Sequence, residues 1–181
     1  MSVQIRVEDR GLRESQRALR AIPGAFEKAI KRAANRAATQ GRTASTRVVR
    51  EKYTVKAKDV RPALRVTKAS SNGLVATLHA SSSPLLLSKF KFSPRRDTTG
   101  NRRKLVRAEM MKGRRATGLD KGFVFRGDIW TRTDGRFKIR RVSGSSVPRM
   151  MENQHEGVEE VIRNAFIKRL DHETKYILRR Q

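Results

Sequence analysis

Apolar residues in the first fifty positions recur at helical spacing, with Leu12, Leu19, Ile22, Phe26 and Ile30 near one stripe. Pro23-Gly24 interrupts that stripe. Proline suits a first turn and disfavours helix in the residue before it, so the pattern predicts a short helix to about Ile22 and a longer one from about Gly24 to Val49 or beyond. At about 1.5 Å per residue the longer helix spans about 40 Å. Along it Ala29, Ala33, Ala34, Ala37, Ala38 and Ala44 have two readings: small side chains where another element approaches closely, or good helix formers on a solvated face.

Beyond this helix the period changes. Lys56 to Leu64 is compatible with one turn of helix that has Pro62 inside it. From Gly73 the alternation places Leu74, Ala76 and Leu78 on one face of a strand, with Val75, Thr77 and His79 on the other. Ser81 to Pro84 breaks it, and Leu85 to Phe92 reads as a second strand. Residues 93–118 show no stable periodicity and read as a long excursion between strands, with Leu105 to Met111 a candidate embedded strand. Asp134-Gly135, between alternating runs, predicts a two-residue hairpin turn in which Trp130 opposes Ile139 and Arg132 opposes Phe137. Ser143 to Pro148 reads as a turn or linker. Val158, Ile162, Phe166, Leu170 and Ile177 mark an amphipathic closing helix from about Glu156 to Arg180, whose acidic pairs Glu159-Glu160 and Asp171/Glu173 read as solvated.

The expected fold class is therefore α+β: a long N-terminal helix and a C-terminal helix packed on an antiparallel β-sheet, with a long basic loop. One domain over residues 1–181 is expected, mainly helical over 1–50, sheet over 73–142 with the basic excursion at 93–118, and the closing helix at 152–181. Of 181 residues, 36% are hydrophobic and 6% aromatic, which supports one modest core built from Leu, Val, Ile and Ala.

Charge changes the picture most. The chain carries 43 Lys+Arg against 17 Asp+Glu, a formal net charge of +26, which draws it toward polyanions. Residues 61–118 hold 14 basic and 2 acidic side chains, whereas residues 152–181 balance six against six. The closing helix is thereby expected to serve folding or assembly, with Trp130, Phe137, Ile139, Val158, Ile162, Phe166 and Leu170 as core or assembly residues. Arg95, Arg96, Arg102, Arg103, Lys104, Arg114 and Arg115 are the candidate nucleic-acid-facing residues, through sequence-independent phosphate contacts. Zero cysteines exclude disulfides and thiolate chemistry and fit a reducing compartment. No apolar run reaches the ~20 residues of a membrane span, and the N-terminus lacks the apolar core of a signal peptide.

Enzymatic motifs are not found. His79, His155 and His172 stand far apart without ligand spacing, the Gly144 region lacks a nucleophile elbow, and no Gly-rich phosphate loop ends in Gly-Lys-Ser/Thr. No catalytic residue, cofactor or metal is expected.

Several separated stretches together carry a resemblance: residues 22–43 (IPGAFEKAIKRAANRAATQGRT), 53–60 (YTVKAKDV), 122–125 (GFVF) and 135–151 (GRFKIRRVSGSSVPRMM). In order and spacing they resemble the tailed-phage and prophage minor tail protein Z family over nearly the whole chain. The resemblance implies a non-enzymatic virion structural protein of the tail-completion type at the head-proximal end of the tail. Its expected partners are itself in a homo-oligomeric ring, other tail or neck proteins, and DNA by non-specific contact, with no membrane. The expected location is the virion tail, and the host cytoplasm during assembly. The alternative is a free, sequence-independent DNA- or RNA-binding protein.

Overall fold

A computed structural model of the chain describes residues 2–3, 10–70, 73–98, 105–133, 138–152 and 155–180. Its helices are α1 (Arg10–Ala18), α2 (Ala25–Lys52), α3 (Ala57–Val60), α4 (Val147–Met150) and α5 (His155–Leu178). Its strands are β1 (Ser2–Val3), β2 (Leu64–Thr67), β3 (Thr77–Ala80), β4 (Pro84–Leu86), β5 (Lys91–Ser93), β6 (Val106–Glu109), β7 (Thr117–Leu119), β8 (Gly122–Phe125), β9 (Asp128–Arg132), β10 (Ile139–Arg141) and β11 (Ser143–Ser146). The α+β class holds, and every strand pairing is antiparallel. The strands are distributed over four small sheets, ordered β1-β3-β2, β10-β9-β8, β11-β4 and β5-β6-β7. The chain groups into two compact units, the first made of 1–45, 64–80 and 153–181, the second of 46–63 and 81–152.

In the first unit the helical break falls where proline and glycine predict it. α1 ends at Ala18, Gly24 takes φ +69, which costs glycine no Cβ clash, and α2 starts at Ala25. The buried face of α2 is marked by its smallest residues. Ala25, Ala29, Ala33, Ala37 and Ala38 are buried, while Phe26 and Ile30 are half-buried. Gly41 continues this face: a Cβ there would lie 2.6 Å from both Cγ1 and Cδ1 of Ile162 and 3.3 Å from Leu78 Cδ2. α5 and β3 therefore reach α2 where a side chain is missing, which decides Ala29, Ala33, Ala37 and Ala38 in favour of close packing, while Ala34 and Ala44 are half-buried. Asn35 fastens the same unit by offering Ala69 what a neighbouring strand would: its Oδ1 accepts from Ala69 N at 2.8 Å and its Nδ2 donates to Ala69 O at 3.4 Å.

α5 buries Val158, Ile162, Phe166 and Leu170 and packs against α1. Asp171 is solvated and pairs with Lys175 at 2.8 Å, but Glu173 is not solvated as expected. It is 1% exposed, receives Arg32 Nη1 at 2.7 Å and forms a second ion pair with Arg169, one turn earlier. Its position next to the Leu170 stripe, where α2 approaches, explains why two arginines attend it.

The second unit departs further from the sequence expectation. Leu85 to Phe92 is not one strand: a 3-10 turn at Leu87–Lys89 separates β4 from β5, which belong to different sheets. Leu87 and Phe90 are both buried, and a helical turn puts positions three apart on one side where a strand would put them on opposite faces. Ser143 to Ser146 is strand β11, paired with β4, and no linker; α4 follows with Pro148 in its first turn and buries Val147 and Met150. Glycine stands at 144 because its neighbour is a ring. A Cβ on Gly144 would lie 2.7 Å from Phe90 Cε2.

The hairpin exists with a different register. Arg132 pairs with Ile139 and Trp130 with Arg141, and Thr133 N donates to Lys138 O at 3.0 Å. Four residues thus separate Thr133 from its partner Lys138, where two were expected to separate Thr133 from Arg136; Asp134, Gly135 and Phe137 lie outside the described residues. A shift of two preserves the faces, so Trp130 keeps a strand partner on its own face, now the Arg141 guanidinium 5.2 Å from its ring centroid. Trp130 is half-buried, its Nε1 donating to Phe125 O at 3.1 Å, and Ile139 is exposed.

Candidate functional site

The second unit gathers most of the charge, 25 basic against 8 acidic residues for a net +17, while the first unit carries +9. Of the predicted phosphate-facing residues, Arg95 and Arg96 follow β5 and are exposed, and Arg114 and Arg115 are exposed before β7. Arg102, Arg103 and Lys104 lie outside the described residues. The run 93–118, read as aperiodic, contributes β6 and β7; the embedded strand expected at Leu105 to Met111 is β6. Thr98 anchors its first limb, with backbone N donating to Val124 O at 3.0 Å and Oγ1 accepting from Val124 N at 2.9 Å.

Beside this surface lies an open cleft of about 540 Å3 lined by Lys56, Lys58, Lys89, Lys91, Arg95 and Lys112, with Asp59 and Glu109 as its acids. Three chain segments distant in sequence build it. The chain leaving α2 pairs with the end of β6: Thr54 N donates to Met110 O at 2.9 Å, Lys112 N to Lys52 O at 2.8 Å, and Tyr53 bridges Met111. Thr54 Oγ1 donates to Glu109 O and accepts from Lys91 N at 3.1 Å, so one hydroxyl joins the post-helix segment, β5 and β6.

Both acids are already partnered. Lys91 Nζ lies 2.8 Å from Glu109 Oε2 and Lys89 Nζ 3.6 Å from Asp59 Oδ1. The Lys91 hydrogen bond holds the Glu109 carboxyl below its ordinary value, partial desolvation opposes it, and the Lys91 charge and Gly113 N–H assist. Lys56, Lys58, Arg95 and Lys112 form no ion pair among the described residues. The Arg95 guanidinium sits 5.8 Å from the Phe92 ring centroid. Sequence reasoning missed Lys56, Lys58 and Lys112. Lys56 precedes α3 and Lys58 lies in it, Lys112 stands in the basic excursion after β6, and the antiparallel pairing of 52–54 with 110–112 joins them.

Among the described residues no three His, Asp or Glu side chains gather as metal ligands, and no helix is long and apolar enough to cross a membrane. What the fold and surface define is a small, strongly basic α+β protein whose exposed chemistry is cationic. The sequence pattern of prophage minor tail protein Z matches residues 10–181, and the chain belongs to that family. It is a structural protein of the phage tail and of the virion. No curated protein and no solved structure matches the chain.

Proposed function

We propose that the protein completes the tail as a ring of identical subunits at its head-proximal end, joined to other tail or neck proteins, with the cationic surface of the second unit toward DNA. In this reading it is non-enzymatic, acts as one assembly part over its whole length and assembles in the host cytoplasm. The observation that carries it is the net +17 of the second unit with Arg96, Arg114 and Arg115 exposed, charge that the unit does not neutralise itself. Duplex DNA binding by the purified chain is expected to fall steeply with salt. Replacing Arg96, Arg114 and Arg115 by Gln is expected to flatten the slope of log affinity against log salt by ~0.9 for each phosphate that is no longer neutralised. An unchanged slope removes these residues from the interface. A closed ring needs two different surfaces per subunit, and the exposed edge strand β10 and the solvated face of α2 supply candidates. Electron micrographs of the concentrated protein test for closed rings.

A further inference from the structure

The cleft differs from the surrounding surface in having been built. Its cations come from the segment after α2, from β5 and its flank, and from the end of β6, and the Thr54 hydroxyl fixes those three segments to one another. Lys89 and Lys91 are held by Asp59 and Glu109, which leaves Lys56, Lys58, Arg95 and Lys112 facing the same space without a carboxylate among the described residues. Like charges gathered without a counterion raise the energy of the free protein, and an incoming anion relieves it.

We propose that this cleft binds a short, extended, carboxylate-rich segment of another polypeptide, docking the subunit to an acidic partner. The shape of the cleft favours this occupant over DNA. A volume of about 540 Å3 admits a few residues of a flexible chain. A duplex, stiff over about 150 base pairs, meets charge on open faces and does not fold into a recess. The two resident carboxylates give a further reason: they break the cationic lining into separate positions, which suits discrete side-chain carboxylates better than the close and regular charge of a phosphate backbone. Arg95, which lines the cleft with its guanidinium 5.8 Å from the Phe92 ring centroid, has the planar fork that suits bidentate carboxylate binding. The assignment does not depend on DNA binding or on ring formation.

The test uses the full-length protein and a fluorescein-labelled polyglutamate peptide, read by anisotropy at physiological salt. One variant replaces Lys56, Lys58, Arg95 and Lys112 by Gln. A second removes the same number of charges from exposed positions of the same unit away from the cleft, Lys121, Arg132, Lys138 and Arg140, again to Gln. The cleft variant is expected to lose about tenfold or more in peptide affinity, and the second variant about twofold. Equal losses would mean that the peptide responds to net charge alone, and the proposal falls. It falls equally if the cleft variant keeps its peptide affinity but loses binding to a short DNA duplex, which would give the cleft to nucleic acid. Thermal midpoints of both variants close to that of the parent confirm that the comparison is between folded proteins.

Discussion

Gly144 and Glu173 owe their places to opposite requirements, one to a missing side chain and the other to its partners. Gly144 faces the Phe90 ring with no space for a methyl group, and Phe90 is 3% exposed, so the ring cannot swing away. Gly144→Ala is expected to cost about 1–3 kcal/mol by overpacking, measured as a fall in the urea midpoint at unchanged slope. Glu173 is the opposite case, a buried carboxylate that is tolerable only in company. Replacing Arg32 or Arg169 alone by Met leaves one cationic partner. Replacing both leaves a buried charge unpaired, at about 3–5 kcal/mol, so the double variant is expected to lose more than the two single losses combined. Glu109 supplies a pH dependence. Its carboxyl is held below the ordinary value by Lys91, so its contribution is complete above the ordinary carboxylate range and is lost as pH falls through the lowered folded value. The stability gap between the parent and Glu109→Gln is accordingly expected to close on acidification and to be constant above neutral pH.

At the scale of elements, the long helices and the break between them were legible because periodicity and Pro23-Gly24 are local signals. The face of α2 was not. Hydrophobic patterning weighs large side chains, and here the close approach is made by Ala29, Ala33, Ala37 and Gly41, whose contribution is to leave room. The same helix gives the element-scale prediction. On an isolated helix Gly41→Ala would gain about 1 kcal/mol in propensity, yet here the added carbon meets Ile162 at 2.6 Å, and a net loss of stability is expected by calorimetry. Short strands resisted reading for a different reason. The hairpin register depends on how many residues the turn takes, and composition put Asp134-Gly135 at its centre while the pairing of Thr133 with Lys138 requires four. β11 was hidden because serine and glycine signal loops, and only the partner ring of Phe90 explains Gly144. The candidate cleft was half legible: Arg95 and Lys112 lay in a recognisably basic run, whereas Lys56 and Lys58 become their neighbours through backbone pairing alone.

For the whole molecule, charge divides unevenly between a unit that carries +17 and a C-terminal segment whose charges cancel. Phe166 belongs to the latter and is buried in the α5 stripe, so Phe166→Ala is expected to cost about 3–5 kcal/mol. It should yield insoluble or unassembled protein, while any folded remainder keeps the parent's salt slope for DNA. The charge surplus also bears on the ring proposed above. Free copies brought side by side would repel across a Debye length of about 8 Å at physiological salt, so closed rings of the concentrated protein are expected to form more readily as salt is added. In that reading a surplus that looks like a burden in one subunit would act as a latch against premature assembly, and rings that close equally well at low salt would show that no such latch exists.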